Sequence, residues 1–329
     1  MRRRTLVALA AGGLLPASPS LRAQAQPAPH RIAFLGAFPR ADIEAALGQI
    51  RAELERLGWT DGRNIVLMEP RTAEGRYELL PTMAAEIVAQ GPDLILAQTL
   101  PATRALMQAT KSIPIVMYGV GNPVELGIVA NYRKPGGNVT GSSFMANEYA
   151  RKLLQLLKEA APGLRSVALF VNPGNEAAAV FLNQMRADAV ALGMQAQIVE
   201  VRGPGDFEAA FAAIGSANTQ AIFLLPEPLI LSKREAITAF AQTHRLPLVV
   251  VGTSRFLPAS GLMAFGPARD EYAQLAARYI DRILKGAKPG DLAVEQTTRF
   301  NLVINLKSAK TLGLTIPPSL LLRADEVIQ

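Results

Sequence analysis

Apolar runs of strand length alternate with amphipathic stretches of helical period along most of this chain, the pattern expected of parallel βαβ units. Residues 31–38 (RIAFLGAF) read as a buried strand. Over residues 42–57, Ile43, Leu47, Ile50, Leu54 and Leu57 fall on one helical face, and Gly58 ends that helix. Strands are predicted at 65–69, 93–97 and 113–118, with helices at 80–89 and 102–109; Pro81 suits a first helical turn, and the strand at 113–118 carries its proline at the start. The dense punctuation of residues 135–141 (PGGNVTG) marks a first passage between lobes. A second series repeats the grammar, with helices at 147–160, 177–192, 207–213 and 233–244 and strands at 166–171, 195–201, 221–225 and 247–251. The rhythm then changes to a strand at 261–265, a helix at 271–284, a turn near 286–289 and a late strand at 300–304, as if the chain recrosses between two completed lobes. No strict sequence repeat relates the halves.

The composition supports two cores. The chain has 329 residues, of which 50% are hydrophobic and 19% charged. It has no cysteine and only two histidines, His30 and His244, which removes disulfide scaffolds, thiol nucleophiles, iron–sulfur clusters and imidazole-rich metal sites. His244 sits at a predicted helix end, where a dipole or capping role suits it better than catalysis. The formal charge of +7 invites a nucleic-acid reading until the charges are located. Residues 1–25 combine Arg2, Arg3 and Arg4 with an apolar stretch from Thr5 to Leu15 and an Ala23-Gln24-Ala25 cleavage pattern, as in a signal peptide. About eleven apolar residues are too few to span a bilayer, which takes roughly 20. Removing this segment takes four arginines from +7 and leaves +3, so no nucleic-acid partner is expected. Arg3-Arg4 also fits a twin-arginine signal, and with no cysteine available for lipid attachment the mature product is expected free in the periplasm.

In open α/β sheets ligands bind beyond the carboxyl ends of the strands. The exit segments here are Phe38-Pro39, Gln98-Thr99, Gly119 to Pro123, Asn172-Pro173, Pro226-Glu227 and Gly252 to Ser254. They offer amides, hydroxyls, backbone groups and one carboxylate, enough to hold a small ligand, although Asn, Pro and Gly also serve as turn formers. The phosphate-binding loop, the nucleophile elbow, the dinucleotide fingerprint and the HExxH motif are missing. Glu227 could act as a general base but has no visible partner in the sequence.

Residues 58–64 (GWTDGRN), 113–116 (IPIV), 122–124 (NPV), 135–141 (PGGNVTG), 261–263 (GLM), 305–310 (NLKSAK) and 323–327 (RADEV) resemble the ABC transporter substrate-binding protein family of the tryptophan-binding, TrpX-like kind. The resemblance runs from about Ile32 to the C-terminus. It implies a type I periplasmic binding protein: two Rossmann-like lobes with parallel sheets, joined by a three-strand hinge and closing on a ligand. Lobe 1 would comprise residues 26–141 and 266–298, and lobe 2 residues 142–265 and 299–329. It further implies delivery of an amino acid or related solute to an ABC permease with its ATPase, with membrane contact only through that permease, no catalysis, no cofactor or metal, and a monomeric protein. Phe38, Thr99, Tyr118, Gly119 and Asn122 from lobe 1, and Asn172, Glu227 and Ser254 from lobe 2, are the expected ligand contacts. Asn122 and Glu227 stand where the family often has Asp, which leaves Glu227 as the expected partner of an ammonium group. The alternatives that keep the fold are a periplasmic sensor presenting its ligand to a receptor and a periplasmic enzyme using Glu227 as base.

Overall fold

The computed structural model describes residues 28–268 and 270–329; the expected signal peptide at residues 1–25 lies outside them. The chain starts with β1 (His30–Gly36), α1 (Arg40–Arg56), β2 (Ile65–Leu67), β3 (Arg71–Thr72), α2 (Leu80–Ala89), β4 (Leu94–Gln98), α3 (Leu100–Ala109), β5 (Ile115–Gly121) and β6 (Val139–Phe144). Of the apolar face anticipated for α1, Ile43, Ile50 and Leu54 are fully buried and Leu47 is half-buried, whereas Leu57, just past the helix, is exposed; Ala46 completes the buried face. Gly58, at φ +88°, ends the helix as expected, with Gly58 N–H donating to Glu55 O and Trp59 N–H to Leu54 O. Because helices cover both faces of this sheet, β1 and β4 are apolar on both sides and show no alternation.

The second series comprises α4 (Ala146–Ala160), β7 (Ser166–Val171), α5 (Ala178–Ala191), β8 (Gln195–Glu200), α6 (Phe207–Ser216), β9 (Ile222–Leu224), α7 (Pro228–Ser232), α8 (Arg234–Thr243), β10 (Leu248–Val251) and β11 (Met263–Pro267). Next, α9 (Glu271–Leu284) packs back on α1, β5 and β6, and β12 (Glu295–Gln296) pairs with β6. The chain finishes in β13 (Phe300–Asn305), α10 (Leu306–Thr311), α11 (Pro318–Leu321) and β14 (Glu326–Ile328).

Two seven-stranded sheets result. The first has the order β12-β6-β5-β4-β1-β2, with β3 also on β1, and all its pairs are parallel. The second runs β14-β13-β11-β10-β9-β7-β8, and β11 with β13 is its antiparallel pair. The chain passes between the sheets three times: after Phe144, between Pro267 and Glu271, and between Gln296 and Phe300.

Three local expectations are corrected. The punctuated segment at 135–141 leads into β6 instead of out of the sheet, so Gly141 is a strand residue and the first passage follows Phe144. A Cβ on Gly141, at φ +132°, would lie 2.3 Å from Met117 O, and this close approach is why glycine stands there. Gly119 and Gly121 are likewise not loop residues: β5 continues to Gly121 through a bulge between Met117 and Val120. Finally, the exit loop expected after β9 is present at Pro226 and Glu227, but it ends there, and Pro228 opens the short helix α7, which the sequence pattern did not predict.

Candidate functional site

Between the facing carboxyl ends of the two sheets lies a cavity of about 180 Å³. The first sheet and its helices contribute Phe38, Gln98, Thr99, Tyr118, Gly119, Asn122 and Tyr272; the second contributes Asn172, Glu227, Thr253, Arg255 and Phe256. Its apolar surface is largely aromatic. Phe38 stacks on Phe256 with centroids 5.7 Å apart, joining the two sides, and Tyr118 leans on Tyr272 at 5.6 Å.

The expected contact residues meet different fates. Thr99 is the N-cap of α3, at φ +84°, and its hydroxyl accepts from Ala102 N–H at 3.5 Å. Asn122, at φ +47°, lines the cavity just beyond β5. Gly119 lines it too, but its N–H is taken by Ser142 Oγ at 3.1 Å. Ser254 is not among the lining residues; its neighbour Thr253 is. Asn172, also in the wall, is held from both ends, with Oδ1 accepting from Gly174 N–H at 2.9 Å and Nδ2 donating to Glu227 Oε1 at 3.1 Å.

Glu227 does not offer a free carboxylate. Besides Asn172, its Oε1 accepts from the Tyr77 hydroxyl of the first unit, and its Oε2 accepts from Ile230 N–H at 3.0 Å as the cap of α7. Burial raises its pKa above the ordinary 4.5, against the lowering effect of these donors. Burial and the adjacent Glu227 charge push Tyr77 well above 10, so it remains a donor. Tyr118 is pushed up to about 12 by burial, with Arg255 opposing, and it too remains protonated at neutral pH.

Charged contacts join the two sides outside the cavity. Asp42, in the first turn of α1, accepts from Arg234 Nη1 at 3.0 Å and from Arg255 Nη2 at 3.1 Å, and Arg255 also donates to the Asp42 main-chain carbonyl. Arg104 of α3 reaches Glu176 at 2.8 Å. The two ionisable groups of the cavity wall other than tyrosines, Glu227 and Arg255, are therefore both engaged within the protein.

Four buried side-chain polar atoms have no hydrogen-bond partner among the described residues: Gln98 Oε1, Asn147 Oδ1, Thr253 Oγ1 and Tyr272 Oη. All four residues line this cavity. Thr297, whose hydroxyl approaches Tyr272, is bonded to Tyr149. An unpaired buried polar group is costly, so their convergence makes this cavity the candidate site. None of the four was among the residues chosen from the sequence. Gln98 and Thr253 adjoin chosen residues at strand exits, whereas Asn147 and Tyr272 stand in the first turns of α4 and α9, which reach the cavity only because the chain recrosses. Among the described residues no cluster of His, Asp or Glu is arranged to hold a metal ion, and no helix is long and apolar enough to cross a membrane.

Known proteins share this plan. The curated tyrosine-binding protein of Clostridioides difficile (strain R20291) is 26% identical over 273 residues, 82% of this chain and 77% of that protein. The crystal structure of an ABC domain in complex with L-Trp from Streptococcus pneumoniae superposes with a TM-score of 0.84 at 25% identity, covering 91% of this chain and 100% of that one. A conserved domain protein from Vibrio cholerae does so with a TM-score of 0.84 at 26% identity, covering 91% and 99%. An ABC sugar transporter subunit from Rhodobacter sphaeroides, 18% identical with a TM-score of 0.55, shares the fold, which is that of type I periplasmic binding proteins. The profile of the family described as ABC transporter substrate binding protein matches residues 42–328. Because that match runs from the first turn of α1 to the last strand, through both sheets and the cavity between them, the chain belongs to the ABC transporter substrate-binding protein family.

Proposed function

We propose that this protein is the exported solute-binding component of an ABC importer, which captures a small ring-bearing solute between two lobes and closes on it. The observation that carries this reading is the set of four unpartnered buried polar atoms, drawn from both sheets and collected in one aromatic-walled cavity. A ligand that touches both sides at once favours the closed form by its differential contacts, and the three chain crossings supply the hinge. Relatives that bind tyrosine and L-Trp support an amino acid or a related small solute as the class. The basic, apolar and small-residue segments of residues 1–25 support export to the periplasm, and the family assignment supports docking to a permease with its ATPase.

A hydrolytic or proton-abstracting enzyme is less well supported, because the one carboxylate in the wall is committed to Tyr77, Asn172 and Ile230. Equilibrium dialysis of the protein lacking residues 1–25 against radiolabelled aromatic amino acids, aromatic amides and purines, followed by chromatography of the recovered label, tests the proposal. One-to-one binding of a compound recovered unchanged is the expected result. A compound recovered as a product would replace binding with catalysis.

A further inference from the structure

We propose that Arg255 is the specificity-determining residue of this cavity: it anchors a carboxylate of the solute through its uncommitted N–H groups while Nη2 holds Asp42 on the opposite side, so that one guanidinium serves both capture and closure. This rests on the solute-binding reading above and names the anionic group that the same cavity takes. Arg255 stands just beyond β10 and lines the cavity. Its Nη2 donates to the Asp42 carbonyl and, at 3.1 Å, to Asp42 Oδ1, whereas Nε and Nη1 donate to no atom among the described residues. An N–H taken out of water costs free energy until an acceptor replaces the water, and a carboxylate is the acceptor that matches a guanidinium best.

The balance of charge points the same way. Asp42 is shared by Arg234 and Arg255, so two cations face one carboxylate and a positive charge is left over. The Arg234 side chain is 31% exposed and offsets its share in water, whereas that of Arg255 is 16% exposed and lines the cavity. The Arg255 charge is felt at the Tyr118 phenol of the first sheet, where it opposes the burial that raises the phenol's pKa. The other acid of the wall, Glu227, is committed to Tyr77, Asn172 and Ile230. Thr253, two positions before Arg255, adds a buried hydroxyl without a partner, which can donate to an anion. Gln98 Oε1 and Asn147 Oδ1, also without partners, can only accept and so suit N–H groups elsewhere on the solute.

Isothermal titration calorimetry on the protein lacking residues 1–25, with each carboxylate matched to its amide, tests this. The pairs are L-tryptophan and L-tryptophanamide, L-tyrosine and L-tyrosinamide, and 3-indolepropionate and 3-indolepropionamide. At least one carboxylate is expected to bind about 30-fold or more tightly than its amide, the range that a hydrogen bond to a charged group supplies. In Arg255→Gln that preference should fall to about threefold or less, and Arg255→Lys, which keeps the cation, should hold an intermediate one. Arg234→Gln breaks the other half of the Asp42 pair at a residue outside the cavity wall and should keep the preference of the parent. Amides that bind as tightly as their carboxylates, or a preference that survives in Arg255→Gln, would overturn the inference and leave the solute-binding proposal standing. A preference lost equally in Arg255→Gln and Arg234→Gln would confine Arg255 to closure and overturn it as well. Failure of every carboxylate to bind would also overturn it, and the solute-binding proposal would then be judged separately by the broader dialysis test.

Discussion

At Glu227 burial and hydrogen bonding act in opposite directions, and burial dominates, holding the carboxyl pKa above its ordinary value. Between the unfolded and folded pKa values the native state binds more protons, so stability falls as pH rises. The contribution of Glu227 is fully present below about pH 4.5 and is lost as pH climbs through the raised folded value. The stability advantage of the parent over Glu227→Gln, measured by urea unfolding at a series of pH values, should therefore be largest near pH 4 and shrink toward pH 7. An advantage that grows with pH would contradict the assignment. Tyr77→Phe deletes the hydroxyl that reaches Glu227 from the other sheet and should cost about 1–3 kcal/mol in the same experiment. The engagement of Glu227 and the places of Asn147 and Tyr272 were not legible in the sequence, whereas Gln98 and Thr253 lie in the strand-exit segments where a ligand site is expected. The glutamate between two prolines signalled a turn and a candidate acid, but its partner Tyr77 is 150 positions away. Ser254 lies outside the cavity wall while its neighbour Thr253 lies in it, and nothing in the sequence separates the two.

The alternation of elements was the most legible part of the chain, because helices and buried strands of ordinary length impose their period on the apolar positions. The departures have local causes. Helix α7 has five residues and is buried from Pro228 to Leu231, too short and too uniformly apolar to show a period. At β6 the punctuated run that includes Gly141 signals a passage between lobes, whereas the glycine is required by the backbone of Met117 beside it. A similar requirement joins the two sides of the molecule at Gly75, in the loop after β3. A Cβ there would sit 2.8 Å from the Leu229 Cα of α7, and Gly75 also adopts φ +86°. Gly75→Ala should hold the sides apart and weaken ligand binding about tenfold or more, an effect of roughly 1.4 kcal/mol, as read by calorimetry with the compound that binds the parent. Parent-like affinity in this variant would show that close apposition of α7 to that loop is not needed for capture.

The whole molecule joins two sheets through three chain crossings and through side-chain contacts that have nothing to do with chain connectivity. Asp42 is the centre of the largest of these, a carboxylate shared by Arg234 and Arg255. Removing one partner of a buried ion pair leaves the other uncompensated, at a cost near 3 kcal/mol at the lower end of such measurements. Asp42→Ala should shift the unliganded protein toward an open form, seen as a larger radius of gyration in small-angle X-ray scattering, with ligand restoring the compact one. No change in radius would mean that these arginines do not hold the closed arrangement.

The central claim, that the cavity between the sheets exists to hold a small solute, is met most directly by a thermal-shift screen of residues 26–329 against amino acids, short peptides, aromatic acids and amides, and purines. A compound that binds only the folded state adds about 2.7 kcal/mol of stability at a hundredfold excess over its Kd. A clear rise in Tm with one chemical class, abolished when Gln98, Thr253 and Tyr272 are replaced by Leu, Val and Phe, is the predicted result. A flat response to every class, or a rise that survives those replacements, would contradict the claim.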